Sequence, residues 1–232
     1  MNKKSEERNA HKTIIRNRRS KPIFKRAGTL TPTSKKILWD YAMSNIPSLG
    51  TAHELRERDI LQHDPDKDLT DYGQIDIQYA KDNSPNMNYN PIRDRFSVEP
   101  VSRHPEDSLI PKGGGLSEAD FTEYDSLFDP VMKELNSIGL HGICRLRLAV
   151  LEPMATLPTH IDSPYKDRFL CVIDGGHDMT FHKANVGEDV TLKFVPDEIW
   201  YVNTNWKHTV INTLNHKRTA LLGCFDYDPQ LL

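Results

Sequence analysis

The sequence predicts a mainly β domain, a sandwich or barrel preceded by helices, and two observations carry that reading. Seven short segments between residues 143 and 225 are rich in β-branched and aromatic residues and are separated by turn residues. An amphipathic stretch at 117–138 stands directly in front of them, and many short strands behind a helix fit a sandwich or barrel. The seven are ICRLRLAVL (143–151), RFLCVI (168–173), DMTF (178–181), VTLKFV (190–195), EIWYV (198–202), HTVINT (208–213) and RTALLGCF (218–225). RFSVEPV (95–101) offers an eighth. The 117–138 stretch opens on a Ser cap, ends before Gly139 and contains Pro130, which is expected to break or kink it.

Upstream, residues 34–46 (SKKILWDYAMSNI) predict a further helix. Thr33 or Ser34 serves as its cap, Ile37, Leu38, Tyr41 and Ile46 fall near one face, and Pro47 ends it. Residues 62–95 are rich in Asp, Asn, Pro and Tyr without periodicity, which reads as a functional loop or a poorly ordered stretch. KGGG at 112–115 is a hinge or turn. The chain thus divides into a basic, disordered tail (1–30), a helical and irregular region (31–115) contributing to the barrel and a lid, and a core of helix plus barrel (116–232).

Composition narrows the classes. With 232 residues, 37% of them hydrophobic, the chain can bury one core. Residues 1–26 hold ten Lys or Arg against two Glu, so a net charge of −3 leaves about −11 for the remainder. The run RNRRSKPIFKR (16–26) is either a solvated tail or a contact for nucleic acid or another acidic surface. Cys144, Cys171 and Cys224 sit in apolar runs without CxxC spacing, which argues against a disulfide framework or zinc ribbon and for buried thiols in a reducing compartment. No run approaches the roughly 18 apolar residues of a membrane span, and the basic N-terminus lacks the apolar core of a secretory signal. A soluble, cytoplasmic protein is the expectation.

The residues that carry chemistry are H-I-D at 160–162 and His208. Residues at i and i+2 of an extended segment point the same way, so His160 and Asp162 can face one metal together. A third ligand from a distant strand closes one face of an octahedron and leaves three positions open. Two histidines and a carboxylate in that arrangement suit non-haem iron(II), which must take cosubstrate and dioxygen together; zinc prefers more nitrogen or sulfur. Taken singly, His160 reads rather as a surface loop histidine after Pro158 and His208 as a strand-end histidine. Arg218 tips the balance. If 214–216 form a three-residue hairpin loop, 212 opposes 218, and His208 and Arg218 share a face. Four residues of strand span roughly 13 Å, a length that a five-carbon diacid plus an Arg side chain can fill, and Arg grips carboxylates in bidentate fashion. A two-residue loop would put Arg218 on the wrong face.

The stretches RLRLAVLEPMATLPTHIDSPYKDRFLCVI (145–173) and PDEIWYVNTNWKHTVINTLNHKRTALLGCFD (196–226) together resemble the aspartyl/asparaginyl β-hydroxylase-like branch of the 2-oxoglutarate oxygenases. The matching elements, in order, are Arg145 and Arg147, His160, Arg168, Pro196 to Trp200, His208 with Val210 and Asn212, and Arg218. The likeness covers a little over a third of the chain. It implies a double-stranded β-helix, a jelly-roll or cupin-like barrel with the metal at its open end. It also implies an enzyme using Fe(II), 2-oxoglutarate and O2 to hydroxylate a protein side chain, amino acid or small metabolite, with release of succinate and CO2. Arg218 would bind the distal carboxylate of 2-oxoglutarate. Arg168 either holds the proximal carboxylate or faces the substrate; as a bare strand residue it reads as an edge-strand charge.

This chain departs from the best-known members at three positions. Asp162 stands where those have glycine and restores a full ligand triad. Asp197 replaces a turn glycine. Leu170 replaces a second cosubstrate-binding histidine. Elsewhere, His177 and His182 read as exposed residues at the wrong spacing for the triad, and Trp200 and Tyr201 as one core residue and one at the barrel mouth. Arg145 and Arg147 share a face, at the mouth or in solvent. The alternative reading is a non-redox, cupin-type metal barrel, or a module working through its basic tail.

Overall fold

The computed structural model describes residues 21–45, 72–80, 121–161, 167–185 and 187–228. In chain order the elements are β1 (Phe24–Thr29), α1 (Pro32–Asn45), β2 (Tyr72–Asp76), β3 (Gln78–Ala80), β4 (Phe121–Tyr124), α2 (Asp129–Ser137), β5 (His141–Leu151) and β6 (Thr156–His160), then β7 (Asp167–Asp174), β8 (Asp178–Asn185), β9 (Glu188–Lys193), β10 (Glu198–Val202), β11 (His208–Ile211) and β12 (Arg218–Asp226). None of the described helices is long and apolar enough to cross a membrane.

All seven predicted strands between 143 and 225 are present as β5 and β7–β12. With β1, β2 and β6 they build a six-stranded sheet, β1-β10-β7-β12-β5-β2, and a four-stranded sheet, β6-β11-β8-β9, with every pairing antiparallel. From β5 onward the chain alternates between the two sheets, apart from the β8–β9 hairpin. That winding is a double-stranded β-helix, the jelly-roll barrel of cupins.

Burial sorts into two layers. Between the sheets lie Leu170, Val172, Val202 and Ala220 from one and Met179, Phe181, Leu192 and Val210 from the other. The opposite face of the six-stranded sheet, with Phe169, Cys171, Ile173, Tyr201 and Leu221, packs against Leu38 and Ala42 of α1 and Val131 and Leu135 of α2. Residues of β7 thus alternate between barrel interior and helix layer, as a strand buried on both faces must. All three cysteines are free and buried, and burial pushes the Cys171 thiol up.

Several expected boundaries move, each for a local reason. The 1–30 segment is not a tail throughout, because β1 pairs with β10 from Phe24↔Val202 to Thr29↔Glu198. Its Lys21 and Arg26 are held by Asp167 and Glu198, both at 2.8 Å. Helix α1 starts at Pro32 with Thr31 as its cap: the Thr31 oxygen Oγ1 accepts from Ser34 N at 3.3 Å, and proline's missing N–H costs nothing at a first helical position. Glu134 of α2 accepts from the Thr31 N–H at 2.6 Å, placing a carboxylate at the positive end of α1. From residue 121 on, the expected 117–138 helix is a strand (β4), a 3-10 turn over Ser126–Phe128 and then α2, and Pro130 lies in the first turn of α2, so it starts that helix rather than kinking one. Within 62–95, β2 adds to β5 and β3 pairs with β4. The 95–101 strand and the 112–115 hinge lie outside the described residues.

The β11–β12 hairpin is the main correction. β11 belongs to the four-stranded sheet and β12 to the six-stranded one, so residues 212–217 cross between sheets. Asn212, fully buried, shapes the crossing. Its Nδ2 donates to Glu152 O (2.9 Å), His216 O (2.7 Å) and Leu151 O (3.3 Å), and its Oδ1 accepts from Leu214 N (3.2 Å). Truncation leaves several buried backbone groups without partners, at about 1–3 kcal/mol apiece before relaxation. Asn212→Ala is expected to lower unfolding free energy by about 2–4 kcal/mol in urea titrations, among the larger single-residue effects.

Asp197, where a glycine is usual in the resemblance, has φ 71°. The turn therefore needs a left-handed residue, and aspartate is among the side chains that tolerate it. Asp197→Val is expected to cost about 1–2 kcal/mol by thermal or chemical denaturation, and Asp197→Gly much less.

Candidate metal centre and carboxylate pocket

His160 ends β6 and His208 begins β11, and the two are direct cross-strand partners. Their rings lie 4.2 Å apart by centroid. His208 is 2% exposed and packs beside Phe181 of the barrel interior, with centroids 6.1 Å apart. Strand alternation sends their neighbours Thr159 and Thr209 outward, where the hydroxyls share a 2.7 Å hydrogen bond. His182 extends this outer brace, with Nε2 2.7 Å from Thr209 Oγ1 and Nδ1 3.0 Å from Asp189. The brace ties β6, β11, β8 and β9 together beside the two inward histidines. His182 is thus half-exposed and structural, close to its sequence reading.

The His208 Nδ1 lies 2.9 Å from Trp206 O. A carbonyl only accepts, so the proton sits on Nδ1 and the coordinating lone pair on Nε2. Fixing one ring nitrogen on a backbone carbonyl is how metal-binding histidines are commonly oriented. Two imidazoles from adjacent strands, one so oriented, fit a first-row transition ion. Asp162 lies outside the described residues, and among those described no three His, Cys, Asp or Glu side chains are grouped to hold a metal.

Arg218 opens β12 and is 2% exposed. It does not reach the face of His208 through a three-residue hairpin. Both side chains point into the space between the sheets because each sheet turns one face inward, and the loop-length condition therefore does not apply. The Arg218 Nη1 lies 2.6 Å from Nδ1 of His177. His177, expected from the sequence to face solvent, is 2% exposed, and its ring meets Phe194 edge-on at 4.5 Å. The sequence feature beside it that the reading left unused is the preceding Gly-Gly. A Cβ on Gly175 would stand 2.8 Å from the Arg218 Cα, so only glycine lets this turn close over Arg218 and carry His177 inside.

Arg168 is on β7, between β10 and β12, so it is not an edge-strand charge. It is 3% exposed and shares the inward face with Leu170 and Val172. Its Nη1 donates to Cys224 Sγ. Leu170 supplies no polar group there. Arg147 is likewise buried, with Nη1 donating to Arg145 O at 2.8 Å. Arg145 has φ 53° at a register shift between β5 and β12, and this bulge breaks the shared face expected of Arg145 and Arg147. Tyr201 is the core member of its pair, in the helix-facing layer, and Trp200 borders the barrel interior.

No family model matches the sequence, and no curated protein matches it. Solved structures do. A single-residue mutant of Bacillus subtilis oxalate decarboxylase is 25% identical over 36% of this chain and 22% of its own, with a TM-score of 0.32. Oxalate oxidase in complex with the substrate analogue glycolate is 13% identical over 38% and 43%, with a TM-score of 0.32. Peruvianin-I, a cysteine peptidase from Thevetia peruviana latex, is 14% identical over 36% and 51%, with a TM-score of 0.31. The chain spans about half of these structures or less. Strand order, rather than this partial overlap, defines the fold.

Burial, and then the charge of Arg218, hold the His177 pKa well below 6.5. The unfolded chain thus binds a proton that the folded state refuses, and stability must fall as pH drops below about 6.5. One such proton gives a slope of about 1.4 kcal/mol per pH unit. Wild type is expected to lose stability more steeply than His177→Gln between pH 6.5 and pH 5 in denaturant titrations; parallel curves would place the acid sensitivity elsewhere.

Proposed function

We propose that this protein is a metal-dependent barrel enzyme that uses Fe(II) and 2-oxoglutarate to oxidise a C–H bond of a protein side chain, amino acid or small metabolite. The observation that carries the proposal is that a histidine pair and a buried arginine, His160 with His208 and Arg218, face one interior space of a double-stranded β-helix. His160, His208 and Asp162 would hold the metal, and Arg218 the distal carboxylate of the cosubstrate. Bound there, iron with 2-oxoglutarate supplies the oxidising chemistry. The chain supplies position and dryness. The carbonyl of Trp206 fixes the His208 tautomer, the aromatic interior of Phe181 and Phe194 excludes water, and Arg218 presents a charge in a low-dielectric space, where it binds a carboxylate more strongly than at the surface. Arg168, buried on the same inward face, would meet a second anionic group.

A second reading keeps the metal but not the cosubstrate. In it, the Arg218–His177 contact is purely structural and the barrel is a cupin-type metalloprotein of other chemistry. Anaerobic titration of Fe(II)-loaded protein with 2-oxoglutarate separates the two. The oxygenase reading requires a visible charge-transfer absorption that His208→Ala and His160→Ala abolish along with metal binding. Arg218→Ala should retain the metal and lose about 2–4 kcal/mol of cosubstrate affinity, roughly thirty- to a thousandfold. Metal binding without absorption would favour the second reading.

A further inference from the structure

The His177–Arg218 contact has a direction. A guanidinium can only donate, so His177 Nδ1 must be the acceptor and the ring proton must sit on Nε2. That Nε2 is buried and has no hydrogen-bond partner among the described residues. A buried donor without a partner is costly, and native structures keep few of them without a purpose. Protonation cannot relieve it, because the fully buried ring beside Arg218 stays neutral. The position is also built rather than incidental. Gly175 admits the turn against Arg218, Phe194 fixes the ring, and the Phe194 N–H donates to His177 O at 3.0 Å.

We propose that His177 is a ligand-binding residue, fixing the Arg218 guanidinium through Nδ1 and donating Nε2–H to an oxygen of the bound anion. The two ring nitrogens point away from each other, so Arg218 and Nε2–H serve different groups of one ligand. A single small carboxylate cannot satisfy both, whereas a short dicarboxylate, with or without a keto oxygen, can. This deepens the 2-oxoglutarate reading and rests on it for the identity of that ligand.

The test follows the imidazole itself. Protein with isotope-labelled histidine, loaded with Zn(II) as a diamagnetic ion, is titrated with 2-oxoglutarate, glutarate and 2-oxopentanoate, and the His177 nitrogen and proton resonances are followed. The Nε2–H tautomer should be present at the start, and its signal should move downfield with 2-oxoglutarate. In parallel calorimetric titrations, His177→Phe should weaken 2-oxoglutarate about tenfold, near 1.4 kcal/mol. His177→Gln, whose amide both accepts and donates, should recover most of that, and Zn(II) affinity should stay unchanged in both variants. The inference is overturned if 2-oxoglutarate binds without moving the His177 signal, or if His177→Gln loses as much as His177→Phe. If 2-oxoglutarate fails to bind wild type but glutarate moves His177, the carboxylate pocket stands and the cosubstrate reading falls. If no diacid binds or moves the resonance, both fall. The resonance experiment uses wild type, so a variant that fails to fold does not remove the test.

Discussion

A guanidinium that is 2% exposed sets the terms for one end of this barrel. Arg218 cannot shed its proton, so everything around it must accommodate a charge at low dielectric. The neighbouring imidazole answers by staying neutral and accepting. The turn before that imidazole answers with Gly175, because the Arg218 Cα leaves no room there for a side chain, while Gly176 clears Thr213 and Leu214 of the crossing. The crossing that delivers Arg218 from one sheet to the other answers with Asn212, which binds four backbone groups that a hairpin ladder would otherwise have satisfied. The imidazole answers to the guanidinium itself, whereas Gly175 and Asn212 answer to the backbone path that brings Arg218 to this place.

The other end of the interior is governed by strand pairing. His160 and His208 meet because they are register partners on neighbouring antiparallel strands, where opposed side chains come closest. The threonines beside them, facing out, hydrogen-bond to hold that register. The histidine pair and the buried arginine are therefore positioned by different devices, cross-strand register for the first and a sheet-to-sheet crossing for the second. His160, His208 and Arg218 all lie on strands, which suits a site whose groups must keep their spacing.

Most of the barrel is legible in the sequence, since its strands are β-branched and aromatic and end on turn residues. EIWYV reads as a strand with both faces engaged, and it is one over those same residues. What escapes reading does so for physical reasons. TLPTH carries a proline and one bulky apolar residue, so β6 gives almost no strand signal; its order comes from pairing with β11. FKRAGT looks like part of a basic tail because none of its residues is fully buried and Lys25, Arg26 and Thr29 are exposed. The crossing at 212–217 has the length of a hairpin loop, and what distinguishes it lies in tertiary bonds of one asparagine. His177 has no periodic context at all, and its burial depends on a close approach that only coordinates reveal. His208 and Arg218 do turn toward a common interior, but from opposite sheets and not across one hairpin.

The pairing of β1 with β10 gives part of the basic run a meaning unrelated to any partner. Without β1, the outer edge of β10 would present open N–H and C=O groups to any passing strand. With it, the outermost strand of the sheet carries exposed Lys25 and Arg26 and a register shift between Arg26 and Gly28. Charged side chains and a bulge on a terminal strand are the standard defences against edge-to-edge association, because another strand would have to desolvate the charges and match an irregular ladder. Read this way, the segment is a selvedge, finishing the fabric of the sheet so that it does not extend into a second molecule.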